Sequence, residues 1–182
     1  MLRVNSNLVV ITGGPGTGKT TVLQELERRG FACVAEVARQ IILEQVHARG
    51  DALPWANTER YCELMLKRSV DSFLKHDPAY AITFCDRGIP DTLCYARLIR
   101  SPRESEILEA CRVNRYASRV FLAPPWREIY ETDAERKQTY EDAVRTYEQM
   151  KLAYQDCGYE LGEIPRLDTA SRADFILDHL PG

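Results

Sequence analysis

The chain reads as an α/β protein, a three-layered structure in which a five-stranded parallel sheet is covered by helices on both faces. Three observations carry this. Short apolar, strand-like runs recur along the chain with helical patterns between them. The first run passes straight into a glycine-rich turn and then into a helix. The 182 residues, 45% of them hydrophobic, suffice for one sizeable core, so a single domain over 1–182 is expected.

In chain order, the first strand is LVVIT at 8–12, and the first helix runs from about Lys19 to Arg29 and stops at Gly30. FACVAE at 31–36 is the second strand. Two helices follow, Val37 to Arg49 and Thr58 to His76, parted by the turn-rich GDALPWAN. YAITFCD at 80–86 is the third strand, followed by a helix starting near Pro90. SPRE at 101–104 reads as a capping box with Pro102 at the first helical position. After the strand SRVFLA at 118–123, a long helix from about 135 to 156 carries Tyr140, Val144, Tyr147, Lys151 and Tyr154 on one side, a stripe read as core packing. A weaker strand, GYELGEI at 158–164, and a last helix capped by Ser171 complete the pattern.

The formal net charge of −3 gives no long-range attraction to nucleic acid or to an anionic membrane surface, so neither is expected as a partner. Six cysteines without a C-x-x-C pair read as reduced core thiols of a cytoplasmic protein. The N-terminal apolar run is too short for a signal peptide, and no stretch reaches membrane-spanning length. His47, His76 and His179 lie far apart, which suits surface or capping roles better than metal binding.

The turn after the first strand, GGPGTGKTT, matches G-x-x-x-x-G-K-[ST] from Gly13 to Thr20. Gly13, Gly14, Gly16 and Gly18 let the backbone curl with its amides inward, at the N-terminus of the following helix. Gly13 to Thr21, including Pro15 and Thr17, then form a phosphate cradle. Lys19 reaches the β and γ phosphates of ATP, and the Thr20 hydroxyl ligates Mg²⁺. The expected architecture is therefore a three-layer P-loop NTPase fold with a small helical lid.

In such a sheet the ligand lies beyond the carboxyl ends of the strands. Glu36 and Asp86 stand there, Asp86 with Arg87 beside it. Asp86 is expected to hold the metal shell or orient the acceptor, and Arg87 to neutralise phosphate charge. Glu36 is either a general base for the acceptor hydroxyl or a partner for Arg39 and a helix cap.

DRGIPDTLCYA resembles the Asp-Arg-Tyr motif of thymidylate kinases and the acid-Arg-Ser motif of deoxynucleoside kinases, with Tyr95 nine residues after the aspartate. AEVARQII resembles the Glu-containing segment at the end of the second strand in nucleoside and ribosylnicotinamide kinases. With GGPGTGKTT and ALPW, the chain is similar over nearly its full length to a bacterial family of small ATPases labelled AAA-type but built like P-loop kinases. Gly88 stands where thymidylate kinase has tyrosine and Asp91 where it has serine, so thymidylate recognition does not carry over. The chain is too short for an AAA+ motor with its helical lid domain.

The resemblance implies an acceptor-site insertion over about 37–76, with Glu36, Arg39, Trp55, Arg60, Arg87 and Asp91 facing the substrate. It implies a lid over about 124–138, in which Arg127, Arg136 and Lys137 are the cations and Arg136 the preferred one on the transferring phosphoryl group. It also places Thr169, Ala170 and Ser171 beside the adenine base. The expected activity is ATP- and Mg²⁺-dependent phosphoryl transfer to a nucleoside, nucleotide or similar hydroxyl compound, through Lys19, Glu36, Asp86, Arg87 and Arg136. The alternative is an NTPase or regulatory nucleotide-binding module acting through a protein partner.

Overall fold

Leu8–Gly13 is the most apolar run in the chain, and it becomes a strand buried along its whole length. A strand covered on both faces reads as a continuous apolar run rather than an alternating one. In the computed structural model, which describes residues 1–77, 81–129 and 139–181, that strand is the middle of the main sheet.

In chain order the elements are β1 (Arg3–Val4), β2 (Leu8–Gly13), α1 (Lys19–Arg28), β3 (Ala32–Val34), α2 (Val37–His47), α3 (Thr58–Leu74), β4 (Thr83–Asp86), α4 (Ile89–Ile99), α5 (Glu104–Val113), β5 (Asn114–Arg115), β6 (Arg119–Ala123), a 3₁₀ turn (Arg127–Ile129), α6 (Tyr140–Asp156), β7 (Glu160–Glu163) and α7 (Thr169–Asp178). The main sheet is parallel with order β3-β4-β2-β6-β7. All five expected strands are in it, most of them trimmed by a residue or more. A short parallel pair of β1 with β5 was not expected, since two residues each leave no readable period.

The side-chain alternation of β2 divides the core. Leu8 and Val10 face a cluster with Leu93, Ile107, Met150 and Tyr154 of α4, α5 and α6. Val9 and Ile11 face the other way, against Leu23 and Leu26 of α1 and Ile176 of α7. A third, smaller cluster of Ile41, Tyr61 and Met65 joins α2 to α3.

Two helix starts differ from expectation. SPRE does not cap α5, which begins at Glu104 after Arg103. Ser101 instead donates to Glu59 Oε2 at 2.8 Å and accepts from the Arg103 N–H at 3.2 Å. The last helix is capped by Asp168, which accepts from Ser171 N and Ser171 Oγ at 3.1 and 2.6 Å. The carboxylate three residues earlier wins the cap from the serine.

At the carboxyl end of β2 the chain turns through Gly13, with φ of 148°, in close contact with β6. A Cβ there would lie 2.5 Å from the carbonyl oxygen of Ala123. Gly14 has no such constraint, its nearest atom being 4.0 Å from an added Cβ. Gly13→Ala is therefore expected to lose about 1–3 kcal/mol of stability by backbone strain and clash. Gly14→Ala should stay within about 0.5 kcal/mol of the parent. Urea unfolding of both variants checks the contrast.

Candidate active site

The carboxyl ends of β2, β4 and β3 lie side by side, and each delivers one part of the site. From β2 comes the phosphate loop. Gly18, in the left-handed region, is the N-cap of α1 and offers no side-chain cap. The first amides of α1 are thus left without a helix-capping side chain, at the positive end of the helix dipole. Within the loop, Thr17 Oγ1 donates to Gly14 O at 2.9 Å and Thr21 Oγ1 to Gly18 O at 2.8 Å, which fixes its curl. Thr20 is exposed in the first helical turn, with Lys19 buried beside it.

Lys19 Nζ donates to Gly14 O at 3.1 Å. Its pKa is lowered to about 8, first by burial and then by Arg87, against the pull of Asp86 and Glu36. Such a lysine is charged near neutrality at a cost that an added anion offsets.

From β4 come Asp86 and Arg87. The Asp86 Oδ1 atom is buried without a hydrogen-bond partner. Burial pushes the Asp86 carboxyl above its ordinary value although Lys19 draws it down. Arg87 is one of three non-glycine residues at positive φ among the described residues, at 73°, a conformation costing on the order of 1–3 kcal/mol. It is held there by its N–H, which donates to Ile11 O at 3.0 Å, and by its side chain. Arg87 Nε donates to Glu36 Oε1 at 2.8 Å and Nη1 to Asp91 Oδ1 at 3.2 Å. Burial opposes its charge, but Glu36, Asp91 and Asp86 outweigh that and hold the guanidinium protonated.

From the end of β3 comes Glu36, the residue preceding α2; its side chain makes no cap bond there. Its carboxylate belongs to Arg87 instead. Burial raises its pKa, but Arg87 and Lys19 bring it below the usual range. Behind these groups a narrow cleft with about 30 Å³ of free space is lined by Val34, Val37, Met65, Phe73, Asp86 and Arg87 among others.

The structure thus brings together Lys19, Glu36, Asp86 and Arg87. Asp91 lies with them, paired with Arg87 and lining the cleft, while other expected residues lie elsewhere. Asp91 was expected to face substrate; its side chain is only 4% exposed and accepts from Thr12 Oγ1, Tyr154 Oη, Gly88 N and Arg87 Nη1. A carboxylate offers about four acceptor positions, so none is left for an acceptor molecule. Trp55 is 67% exposed and Arg60 pairs with Asp51 at 3.3 Å; neither lines the cleft. Arg39 is exposed on α2. Arg127 lies over the Tyr140 ring at 4.6 Å, and Arg136 and Lys137 lie outside the described residues. Thr169, Ala170 and Ser171 form the first turn of α7, where Ala170 O accepts from Arg29 at 3.2 Å.

Sequence reasoning missed Arg172. It is buried, donates from Nη2 to Thr17 O at 2.8 Å and makes no ion pair among the described residues. It braces the phosphate loop from α7, across 155 positions of sequence, and no local motif marks such a contact.

A family model described as an AAA domain matches residues 8–172. No curated protein matches in sequence. Among solved structures, NadR protein in complex with NR is similar at a TM-score of 0.72 and 17% identity, over 97% of this chain and 51% of that one. The chain thus spans about half the length of the NadR structure. Deoxyadenosine kinase from M. mycoides, with dCMP and dCDP bound, aligns at 0.64 and 14% identity over 95% and 98% of the two chains. Thymidylate kinase from Ehrlichia chaffeensis aligns at 0.59 and 16%, over 94% and 98%.

The buried lysine gives a signed expectation. A lysine whose folded pKa is lowered from 10.5 to about 8 makes the unfolded state bind more protons between those values. Its contribution to stability therefore rises from pH 8 to 10.5, and the full cost is present below pH 8. Lys19→Met is expected to raise the melting temperature of the ligand-free protein at pH 7. The gap between variant and parent should close as the pH approaches 10.5. Calorimetric melting of both proteins from pH 7 to 10.5 measures this, and the difference cancels the other titrating groups.

Proposed function

From a chain that belongs to the AAA domain family and carries this site, we propose an ATP- and Mg²⁺-dependent kinase that transfers a phosphoryl group to the hydroxyl of a small uncharged acceptor of the nucleoside type. The observation that carries it is the pairing of Glu36 with Arg87, which with Asp86 and Asp91 lines a cleft, all four charges acting on Lys19 of the phosphate loop.

The residues have separable roles. The amides of the phosphate loop and Lys19 bind and align the triphosphate. The donor set of Asp86 Oδ1, without a partner, and the exposed Thr20 hydroxyl fits Mg²⁺, a hard cation that takes oxygen ligands. When bound, the ion supplies charge neutralisation on the β and γ oxygens. Glu36, below the usual carboxylate range, accepts a hydrogen bond from the attacking hydroxyl and takes its proton as the new bond forms. Arg87 keeps that carboxylate in place and adds positive charge to the region where the phosphoryl group passes.

Charge selects the acceptor class. Around Lys19 the buried groups are three carboxylates, Glu36, Asp86 and Asp91, against Lys19 itself and Arg87. A phosphomonoester brings a further charge of about −1.5 to −2, and Arg87 is already committed to two of the carboxylates. A nucleoside fits this balance and a nucleoside monophosphate does not. The NadR structure holds NR and a second similar structure is a deoxyadenosine kinase, which agrees with that class, although a third is a thymidylate kinase. With about 30 Å³ of free space, the cleft must widen to admit such an acceptor.

A thermal-shift panel of nucleosides and their 5′-monophosphates, run with AMP-PNP and Mg²⁺, tests the reading. At a hundred times its dissociation constant a nucleoside should stabilise the protein by about 2.7 kcal/mol, with the monophosphates giving less than a tenth of that binding constant. Stabilisation by AMP-PNP alone, with no acceptor adding to it, would favour the NTPase reading. Preferential stabilisation by monophosphates would contradict the charge argument.

A further inference from the structure

Asp91 is the most heavily engaged carboxylate in the site, and the kinase reading gives it no chemical step. Its Oδ1 accepts from Thr12 Oγ1 at 2.5 Å and from Arg87 Nη1 at 3.2 Å. Its Oδ2 accepts from Tyr154 Oη at 2.5 Å and from the N–H of Gly88 at 2.9 Å. The four donors come from four places: the strand entering the phosphate loop, the residue after β4, the N-cap of α4, and α6. Burial, with Asp91 beside it, pushes the Tyr154 hydroxyl well above its ordinary pKa, so it remains a donor.

Gly88 belongs to the same device. A Cβ at Gly88 would lie 3.2 Å from Tyr154 Oη, 3.1 Å from Val10 Cγ2 and 3.2 Å from the Tyr116 ring. The backbone there is extended, which any residue adopts, so the constraint is space. Glycine at this position leaves room for the tyrosine hydroxyl to reach the carboxylate.

We infer that Asp91, with Tyr154 and Thr12 as its supports, is the positioning residue for Arg87, and through Arg87 for Glu36. It touches no substrate. A guanidinium attached to a backbone at positive φ and paired on one side only would be free to swing. The second carboxylate fixes its plane, and Tyr154 and Thr12 fix that carboxylate.

An amide cannot replace the carboxylate. In Asp91→Asn the –NH₂ faces either Arg87 Nη1 or the N–H of Gly88, and both are donors that cannot accept. Either the arginine or the helix cap loses its partner. Tyr154→Phe is the milder change, because it keeps the buried ring and removes a single donor.

This inference rests on the kinase reading only for its activity arm. In the full chain with ¹⁵N-labelled arginine, the Nε–H of Arg87, which donates to Glu36, is assigned as the signal missing in Arg87→Lys. In Tyr154→Phe that signal should shift and its exchange with solvent should accelerate by roughly tenfold, as expected of a loosened clamp. In parallel, turnover of Mg·ATP with water as the acceptor should fall roughly tenfold in kcat with KM for Mg·ATP changed less than about twofold. Adding Tyr154→Phe to Arg87→Lys should cost nothing more, because the residue acts through Arg87. An unchanged Arg87 signal in Tyr154→Phe, or losses that add fully in the double variant, would overturn the inference. If the parent turns over no Mg·ATP either with water or with the nucleoside that most stabilises it, the kinase reading fails, and the Arg87 signal still decides the positioning role. Should Asp91→Asn fail to fold, Tyr154→Phe carries the test alone.

Discussion

A guanidinium cannot stay charged in a protein interior without partners, and the site is organised around satisfying one. Arg87 is held between Glu36 and Asp91. Breaking a buried ion pair from one side costs about 3–5 kcal/mol because the other charge is left stranded. That penalty ties the end of β3 to the end of β4, since Glu36 precedes α2 while Arg87 and Asp91 flank the start of α4. It also holds Arg87 at positive φ, where a side chain would otherwise not remain. The same pairing explains how Glu36 stays below the usual carboxylate range despite burial, and so remains ionised near neutral pH.

The phosphate-loop end depends on a complementary imbalance. Lys19 is buried with its pKa lowered to about 8, and Arg172 is buried against the loop without an ion pair among the described residues. Both are positive charges held at a cost to the ligand-free fold. The two cations at the loop, Lys19 and Arg172, thus form no direct ion pair among the described residues, while Arg87 at the cleft is paired with Glu36 and Asp91.

Much of this was legible in the sequence where the information is local. The phosphate loop is a contiguous motif between a strand and a helix, so its strand, turn and helix were all placed from residues 8–29. The strand ends were legible because a parallel sheet puts its ligands there whatever the sequence between; Glu36, Asp86 and Arg87 followed. The failures share a different cause. Asp91 meets Tyr154 across 63 positions and Thr12 across 79, so an acid in the first turn of a helix reads as a substrate contact and a tyrosine stripe as plain packing. Tyr154 does pack, fully buried, and its hydroxyl does a second job that periodicity cannot report. Ser171 was three residues off because DTAS offers three capping side chains and the carboxylate is the stronger acceptor. Trp55 was expected to face the substrate, yet on the α2–α3 connection it is exposed.

The central claim is that Glu36 serves the acceptor hydroxyl and leaves the triphosphate to the loop. The direct measurement is Glu36→Gln, with the nucleoside that most stabilises the parent, following acceptor phosphorylation and ATP hydrolysis in the same reaction. The account predicts ATP affinity within about twofold of the parent, acceptor phosphorylation reduced by roughly 10² to 10⁴, and hydrolysis reduced far less. Loss of hydrolysis in step with acceptor phosphorylation, or retention of both, would contradict it.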